Sequence, residues 1–462
     1  MPARPVVRRL EWIDPEALFL GGPARAAHAF WLDAGPDATA GWSWLGVGEQ
    51  ASSWPRELVV GTEPVRAVGG SAGVPGGFAG GWVGWLSYDG GARRAGAPVV
   101  APGGEADEVA VVARRLVAFD HAARECWLIA PAGDHDGEDG ALAEVLRWRA
   151  RADDTATGRR ADEEGADGGG EPGAPVVHAR HMPKEYAQLI ARCREAIREG
   201  DAYQLCLTTR FSLEASDAPL DPVAAYLRLR HAQPSHHGAW IRAGETALLS
   251  ASPEQFLHVS AGVVRTRPIK GTRPRFADRD RDAASARNLA ASPKERAENV
   301  MIVDLMRNDL QRVCEPGSVA AERLLDVESY PAVHQLVSTV AGRLLPGTTL
   351  GDLLDATFPA GSMTGAPKLS AMTILAELEQ APRGVFAGCF GWVGDGGAAD
   401  LAMTIRSIVV HPGGAYVGAG GGITWLSDAE SEVDEVALKA RGPLAALGAG
   451  LPAEWALRRR GW

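Results

Sequence analysis

Residues 151–175 are the stretch that most limits how this chain can fold. The segment RADDTATGRRADEEGADGGGEPGAP has almost no large apolar side chain and is rich in Asp, Glu and Gly. Such a composition cannot bury enough apolar surface to offset the entropy lost on ordering, so it predicts a flexible linker or loop. The chain is therefore predicted to comprise an N-terminal region, 1–150, and a larger C-terminal region, 176–462.

Strand and helix patterns occur on both sides of this segment. The runs VAVVARRLVAF and ECWLIA, separated by a short polar turn, predict a hairpin over residues 109–130. Apolar spacing and capping signals predict helices over 182–200, 295–309, 367–379 and 430–440. The runs YQLCLTTRFSL and TALLSASPEQFLHVSAGVVRTRPIKG predict strands with turns at 252–253 and 261–262. Antiparallel hairpins with segregated helices predict the α+β fold class.

Composition excludes several functions. The 462 residues carry a net charge of −11, which argues against binding to nucleic acid or to an anionic membrane surface. The five cysteines are far apart and form no CxxC pair, which favours a reducing compartment over disulfides or zinc. No apolar stretch approaches the ~18 residues that a membrane span needs. We therefore expect a cytoplasmic protein.

The run RPIKGTRPR at 267–275 has a single lysine, Lys270, with arginines on both sides. A preceding proline and a following glycine predict a tight turn. Like charges disfavour protonation of an amine, and a neutral amine is a nucleophile. Lys270 is therefore a candidate nucleophile, and the alternative is a solvated basic turn at the end of a hairpin.

Two predicted helices each present a glutamate pair. Glu295 and Glu298 lie one turn apart, and Glu432 and Glu435 repeat this spacing in the second helix. Glu295 also lies where a capping box places a glutamate, so a structural role is the alternative for it. If the two helices meet, their carboxylates could hold a hard cation such as magnesium, which prefers oxygen ligands.

Other segments could receive an anion. The loop GSMTGAPK at 361–368 runs into a predicted helix N-terminus, where free amides favour a carboxylate or phosphate. A glycine run lets the backbone approach a ligand closely, and an arginine can clamp a carboxylate. The candidates for this role are Thr364, Gly365, Arg406, Gly420, Gly421 and Gly422.

Two residues are candidates for proton transfer. Glu254 follows a predicted turn between strands, and His334 lies in the run PAVHQLVS. A carboxyl group and an imidazole are the usual general acids and bases. A lone histidine is more often structural than catalytic, so both interpretations of His334 stay open.

Taken together, nine ordered strings resemble the chorismate-utilising enzymes, which include component I of anthranilate synthase and of aminodeoxychorismate synthase and the isochorismate and salicylate synthases. They cover residue 180 to the end and read SASPEQFL, RPIKGTRPR, ERAENVMIVDLMRNDL, HQLVSTVAG, FPAGSMTGAPK, FAGCFGWVG, TIRS, GAGGGI and SDAESEVDEVALKAR. The resemblance implies two large packed antiparallel β-sheets flanked by helices, with the site in the cleft between them.

Two positions distinguish branches of this family. At the position of Lys270, anthranilate synthases have alanine, whereas aminodeoxychorismate synthases have lysine. Isochorismate and salicylate synthases have a water-activating lysine where this chain has Gln204. The resemblance therefore implies amination of chorismate at C4, for 4-aminobenzoate and folate synthesis. The alternative is the activity of anthranilate synthase component I.

The resemblance also implies a cofactor and the contacts of the substrate. Mg²⁺ is expected on Glu298 and Glu435, with Glu295 and Glu432 supporting those ligands or their waters. The carboxylates of chorismate are expected on a set of amides and cationic side chains. That set is Gly420, Gly421, Gly422, Arg406 and Lys439.

The implied chemistry is a double displacement. Lys270 attacks C2 of the ring as the C4 hydroxyl leaves, and ammonia then attacks C4 and expels the lysine. Glu254 is the expected proton carrier for the amine, and His334 is expected to assist departure of the hydroxide, with the assignment between them open. No glutaminase nucleophile elbow is found in the sequence, so the ammonia is expected from a separate glutamine amidotransferase subunit.

Overall fold

The computed structural model describes residues 5–62, 74–100, 104–132, 138–162, 175–215, 220–331 and 333–456. Within these ranges no helix is both long enough and apolar enough to cross a membrane. All five cysteines are buried free thiols.

The described residues form twenty strands and ten α-helices. The strands are β1 Pro5–Leu10, β2 His28–Asp33, β3 Trp42–Ala51, β4 Gly81–Leu86, β5 Glu108–Asp120, β6 Glu125–Pro131, β7 Val177–Ala179, β8 Gln204–Glu214, β9 His237–Ala243, β10 Thr246–Ser252, β11 Gln255–Ser260, β12 Val263–Arg267, β13 Ile269–Pro274, β14 Ala320–Ser329, β15 Val333–Arg343, β16 Gly365–Ala366, β17 Cys389–Gly394, β18 Ala399–Met403, β19 Ser407–His411 and β20 Gly414–Ile423. The helices are α1 Pro15–Gly21, α2 Tyr88–Arg94, α3 Glu138–Asp162, α4 Pro183–Glu199, α5 Pro222–Ala232, α6 Arg279–Ala291, α7 Pro293–Gln311, α8 Leu350–Thr357, α9 Lys368–Glu379 and α10 Ala429–Ala446.

The strands form two antiparallel sheets that share β5. The first runs β1-β6-β5-β3-β2-β9-β10-β19-β20-β8, with β7 and β16 also paired to β8. The second runs β5-β4-β17-β18-β11-β12-β15, with β13 and β14 also paired to β15. The pairs β2–β9 and β4–β17 join residues of 1–150 to residues of 176–462, so both regions contribute to both sheets.

Two hydrophobic clusters hold these layers together. One includes Phe30 and Leu248 of the first sheet and Trp392 of the second. The other packs helices α4, α5, α9 and α10 against the first sheet, through side chains such as Tyr186 and Val436. The arrangement is an α+β fold of two packed antiparallel sheets with helices outside, as the sequence predicted.

The prediction of a flexible linker at 151–175 is wrong for its first part, which is helical. Helix α3 continues to Asp162, so residues 151–162 are helical, and residues 163–174 lie outside the described residues. Ala and Arg, which are frequent at 147–160, are good helix formers and extend α3 beyond its apolar part. The predicted hairpin at 109–130 and the predicted helices at 182–200, 295–309, 367–379 and 430–440 are confirmed as β5–β6, α4, α7, α9 and α10.

The chain crosses between the two sheets at two points that matter for the site. Between β10 and β11 it leaves the first sheet for the second, and between β18 and β19 it returns. Glu254 lies at the first crossing and Arg406 at the second. The amide of Ala251 donates to the carbonyl of Arg406 at 3.2 Å, so the two crossings lie side by side.

Candidate active site

Lys270 lies on a strand, not in the tight turn that the sequence predicted. Strand β13 pairs with β15, and the register shifts between Ile269 and Thr272. Gly271 absorbs this irregularity with a φ of +83°, a conformation that favours glycine. A Cβ at this position would lie 2.9 Å from a carboxylate oxygen of Glu295, so α7 packs directly on the strand beside Lys270.

The arginines around Lys270 do not crowd it with uncompensated charge. Arg267 pairs with Glu328 at 2.6 Å, and Arg275 pairs with Asp282 at 2.9 Å. Arg273 pairs with Glu295 at 3.4 Å. The expectation that uncompensated positive charge crowds Lys270 is therefore wrong, because each neighbouring arginine has its own carboxylate partner.

The charge of Lys270 acts instead on three carboxyl groups. Its charge lowers the pKa of Glu254 and of Glu298, against the larger effect of burial on each. Its charge also acts on Glu435, after the stronger effect of Lys439. One amine of β13 therefore interacts electrostatically with three carboxyl groups, which come from the β10–β11 crossing, α7 and α10.

Glu254 is buried at the crossing between β10 and β11. Its carbonyl accepts the amide of Met403 at 3.0 Å, which fixes the backbone of the turn. Burial raises the pKa of the Glu254 carboxyl, and the charge of Lys270 and a hydrogen bond from Ser362 oppose that rise. A buried carboxyl with a raised pKa beside an amine is suited to carry a proton.

The two acidic helices meet, as the spacing of their glutamates suggested. Lys294, in the first turn of α7, has its Nζ 3.3 Å from Oε1 of Glu432 and 3.9 Å from Oε1 of Glu298. A Cβ at Gly421 on β20 would lie 3.3 Å from Glu432 and 3.9 Å from Glu435. Glu298, Glu432 and Glu435 therefore line one space between α7, α10 and β20.

These carboxyl groups differ in their electrostatics. Burial raises the pKa of Glu298 to about 7, although Lys270 and Lys294 oppose it. Lys439, which pairs with the half-exposed side chain of Glu435, holds the pKa of that carboxyl at about 2. Burial and then the charge of Glu435 raise the pKa of Glu432. With these pKa values, Glu435 is negatively charged at neutral pH, whereas Glu298 exchanges a proton near neutral pH.

The same groups fit a magnesium ion. Oε1 of Glu298 is buried and has no hydrogen-bond partner, as expected of an oxygen reserved for another ligand. No three His, Cys, Asp or Glu side chains within the described ranges converge closely enough to form a complete cage. Magnesium is usually held by one or two carboxylates with waters and substrate oxygens, so Glu298 and Glu435 match its needs.

Glu295 has a different environment. Its amide donates to the Ser292 hydroxyl at 3.4 Å, which is the N-terminal cap of α7, and its carboxylate pairs with Arg273. Its side chain also lies against Gly271. Glu295 therefore links the helix start to β13, beside the space that the other three glutamates line.

Cationic and backbone groups predicted to receive carboxylates lie around the same space. Lys439 donates to the carbonyl of Gly420 at 2.7 Å and pairs with Glu435 at 2.7 Å. Arg406 lies between β18 and β19 with a φ of +52°, and Glu435 contributes to its electrostatic environment. Gly420, Gly421 and Gly422 lie on β20 and pair with β8 along one edge. Along 418–423 the other edge has no strand partner among the described residues, and Lys439 contacts this segment at the carbonyl of Gly420.

The loop at 361–366 closes the site next to β8. Gly365 pairs with Leu205 and has a φ of +147°, and a Cβ there would lie 2.1 Å from the carbonyl oxygen of Gln204, so only glycine fits. The hydroxyl of Thr364 donates to the carbonyl of Ala360 at 3.2 Å. Thr364 therefore uses its side chain within the loop, and Gly365 brings the loop against β8.

Gln204 is fully buried at the start of β8, and neither atom of its amide has a hydrogen-bond partner within the described residues. A Cβ at Gly422 would lie 2.6 Å from its Nε2, so the amide lies directly beneath the glycine run. The structure therefore places the amide of this side chain, with its nitrogen and oxygen both unpartnered within the described ranges, at the edge of the candidate site.

The comparison with known families agrees with this geometry. A model of the family described as chorismate binding enzyme matches residues 27–445. The chain belongs to this family.

Relatives in the family carry two names. Aminodeoxychorismate synthase of Streptomyces griseus is 39% identical over 461 residues, covering 92% of this chain and 61% of that protein. The protein of the same name from Streptomyces pristinaespiralis is 41% identical over 381 residues, covering 82% of this chain and 52% of that protein. Anthranilate synthase component 1 of Streptomyces coelicolor is 40% identical over 397 residues, covering 83% of this chain and 75% of that protein. The chain thus spans between about half and three fifths of the two aminodeoxychorismate synthases.

Solved structures show the same architecture. Anthranilate synthase component I from Streptococcus pneumoniae superposes with a TM-score of 0.66 at 27% identity, covering 96% of this chain and 93% of that one. The menaquinone-specific isochorismate synthase from Escherichia coli superposes with a TM-score of 0.66 at 17% identity, covering 97% and 96%. At 17% identity, the similarity to the isochorismate synthase shows a shared fold alone.

His334 lies on β15, opposite Arg273 of β13, and its ring is engaged by residues outside the predicted set. Its Nδ1 hydrogen-bonds the Ser329 hydroxyl at 2.8 Å, and its Nε2 hydrogen-bonds Asp282 at 3.0 Å. Both ring nitrogens are thus engaged, and none of its described contacts is with Lys270 or Glu254. The geometry favours the structural interpretation of this histidine.

Sequence reasoning missed two residues of the site. Ser362 hydrogen-bonds the buried carboxyl of Glu254, and Lys294 lies between the glutamates of α7 and α10. The i,i+4 spacing of Lys294 and Glu298 was visible in the sequence as an ordinary helical pair. Its contact with Glu432 depends on how the helices pack, so no local signal could have shown it.

Proposed function

We propose that this chain is the chorismate-aminating component of an aminodeoxychorismate synthase. The observation that carries the proposal is the position of Lys270, an amine on β13 among the carboxyl groups of Glu254, Glu298 and Glu435. Relatives named aminodeoxychorismate synthase support it, including a component 1 from Klebsiella aerogenes that is 45% identical over 252 residues and covers 54% of this chain.

In this proposal, magnesium is a cofactor held by Glu298 and Glu435. When bound, it would neutralise a carboxylate of chorismate and fix the ring between α7, α10 and β20. Arg406, Lys439 and the glycine run of β20 complete the proposed receiver for the substrate's carboxylates. The unpartnered Oε1 of Glu298 supports this assignment, because a buried carboxylate oxygen without a partner is otherwise costly.

Lys270 is the proposed nucleophile. Its amine forms a bond to C2 of chorismate, the ring double bonds shift, and the C4 hydroxyl leaves as water after gaining a proton. Ammonia then bonds to C4, the double bonds shift back, and the Lys270 nitrogen leaves C2 with its electron pair. The sum is chorismate plus ammonia giving 4-amino-4-deoxychorismate plus water, in two steps that a covalent nucleophile makes accessible.

Glu254 is the proposed proton carrier for these steps. Its carboxyl is buried, its pKa is raised by that burial, and the charge of Lys270 reaches it. It can therefore donate a proton to the departing hydroxide and later accept one from the attacking ammonia. The earlier alternative, His334, has both ring nitrogens occupied by Ser329 and Asp282 and is not given this role.

We further propose that the ammonia comes from glutamine through a separate amidotransferase subunit, and that the complex acts in the cytoplasm. The name component 1, borne by relatives, is consistent with such a complex. The five free thiols are consistent with a reducing compartment. Purified chain supplied with glutamine alone should give no product, whereas ammonium should replace the partner.

A second candidate is the activity of anthranilate synthase component I. The 40% identity to the Streptomyces coelicolor protein, over 75% of its length, favours it. The two are separated by incubating the chain with chorismate, magnesium and ammonium and identifying products by mass spectrometry. Aminodeoxychorismate, in which an amino group replaces a hydroxyl and no pyruvate is released, supports the proposal. Anthranilate with an equal amount of pyruvate would establish the second candidate.

A further inference from the structure

Lys294 lies at the centre of the space between the two acidic helices. Its Nζ is 3.3 Å from Glu432 of α10 and 3.9 Å from Glu298 of its own helix, α7. Glu298 and Glu432 are both buried, with 9% and 3% of their surfaces exposed. One ammonium group therefore bridges two buried carboxyl groups that come from different helices.

The other cations near these carboxyl groups have separate partners. Lys439 is engaged by Glu435 and by the carbonyl of Gly420. Arg273, on β13, is engaged by Glu295. The charge of Lys270 also acts on Glu298, but Lys294 is the described cation that lies within ion-pair distance of both Glu298 and Glu432.

Lys294 is also able to leave. Its side chain is 42% exposed, whereas the carboxyl groups that it bridges are buried. Lys294 lies in the first turn of α7. A lysine ammonium on a flexible stem is readily solvated, so withdrawal into water has a small cost. Its separation from Glu298 is longer than a hydrogen bond, which leaves Oε1 of that group unpartnered.

We propose that Lys294 is an internal counter-ion that holds α7 and α10 together when magnesium is absent and competes with magnesium for their carboxylates. This inference rests on the magnesium site of the proposed function. Two buried carboxylates without a cation would repel each other, so the ammonium stabilises the metal-free cleft. The arriving ion displaces the ammonium into solvent, and the strength of the lysine contacts therefore sets how tightly magnesium binds.

The test is the affinity for magnesium, measured by isothermal titration calorimetry without substrate. Lys294→Met retains the length of the side chain and removes its charge, so magnesium should bind several-fold more tightly, on the order of fivefold for a half-exposed pair. Lys294→Arg keeps the cation and should bind magnesium no more tightly than the parent chain. Unchanged or weaker binding by Lys294→Met would overturn the inference.

A second measurement covers the case in which the methionine variant folds poorly. Thermal unfolding in EDTA should show a lower midpoint for Lys294→Met than for the parent, and saturating magnesium should reduce that difference. A difference that is the same with and without magnesium would contradict displacement. Lys184→Met, which removes an exposed lysine of α4, controls for net charge and should change neither quantity.

These results distinguish failure of this inference from failure of the proposed function. If the parent chain and Lys294→Met both bind no magnesium, the metal site itself is wrong. If the parent binds magnesium and the variant binds it equally, the metal site stands and the counter-ion role of Lys294 is rejected.

Discussion

Lys439 and Glu435 form a 2.7 Å ion pair on adjacent turns of α10, and the same ammonium donates to the carbonyl of Gly420 at 2.7 Å. One side chain thus joins the acidic helix to the glycine-rich edge of β20 and holds the pKa of Glu435 at about 2. Because Lys439 is fixed by these two contacts, the proposed receiver for the carboxylates of chorismate would be organised before a ligand arrives.

Lys439→Met should therefore impair binding of chorismate more than the chemical step. We expect KM to rise at least about tenfold, the effect of losing a charged hydrogen-bond donor, while kcat changes less. Steady-state kinetics with saturating ammonium and magnesium give both constants. A fall in kcat of about tenfold with an unchanged KM would instead show that Lys439 acts on the transition state alone.

Lys270→Ala should remove the proposed nucleophile. We expect formation of aminodeoxychorismate to fall by at least about a hundredfold, the scale of a directly participating side chain. Product analysis by mass spectrometry should also look for an aromatic amine substituted at C2, because the unblocked C2 becomes open to ammonia. Lys184→Ala is the matched control. A variant with the parental rate and product would refute a covalent role for Lys270.

Glu254→Gln should lower kcat by about a hundredfold to ten-thousandfold, as expected for loss of a general acid or base. The glutamine keeps the shape of the side chain and its contact with Ser362, so KM should change little. The pH dependence of kcat should lose the limb that reports this carboxyl. Glu245→Gln, at the exposed β9–β10 turn, is the control and should keep the parental profile.

The local elements of this fold could be predicted because local signals specify them. The β5–β6 hairpin follows from two apolar runs around a polar turn, and α4 ends at Gly200, whose φ of +91° favours glycine. The helix α7 begins at Ser292, whose side chain caps the amide of Glu295, as the sequence pattern indicated. These signals lie within a few residues of the elements they define.

The conformation of Lys270 could not be predicted in the same way. Pro268 and Gly271 are local turn signals, but pairing of Ile269 with Val337 makes the segment a strand. That partner lies far along the chain, and nothing near Lys270 encodes it. The carboxylates that compensate the neighbouring arginines lie outside the run itself, between 7 and 61 residues from their partners, which is why the run of like charges was misleading.

The candidate site also combines features that local sequence indicates with features that depend on tertiary packing. The glutamates of α7 and α10 were recognisable by their spacing, because two groups one turn apart share a helix face. The bridge from Lys294 to Glu432 and the engagement of both nitrogens of His334 depend on tertiary packing. The sequence therefore indicated candidate residues for the chemistry, and the structure shows which of them lie in contact.

Glu435→Ala should abolish activity together with its dependence on magnesium. The parent chain should show saturable activation by magnesium, whereas the variant should stay near background at all concentrations, because a carboxylate ligand is missing. Calorimetry should show a corresponding loss of magnesium binding. Glu430→Ala, on the first turn of the same helix, is the control for helix charge. Normal magnesium-dependent turnover in Glu435→Ala would reject the metal assignment.

Asp282 provides a prediction about stability and pH. Hydrogen bonds from Arg275, from the amide of Phe276 and from His334 lower the pKa of the Asp282 carboxyl to about 2 in the folded chain. An unfolded aspartate titrates near about 3.9. Because the folded pKa is the lower one, the stabilising contribution of Asp282 is complete above the unfolded pKa and is lost as the pH falls toward 2.

Asp282→Asn should therefore lower the free energy of unfolding at neutral pH, and the deficit relative to the parent should shrink as the pH falls below about 4. Urea denaturation at a series of pH values measures both quantities. Asp304→Asn, which removes an exposed partner of Arg307, should show a small deficit without this acid-side trend. A deficit for Asp282→Asn that stays constant from pH 7 down to the acid limit would contradict the assignment of charge to Asp282, and with it the account of how Arg275 and His334 are held beside β13.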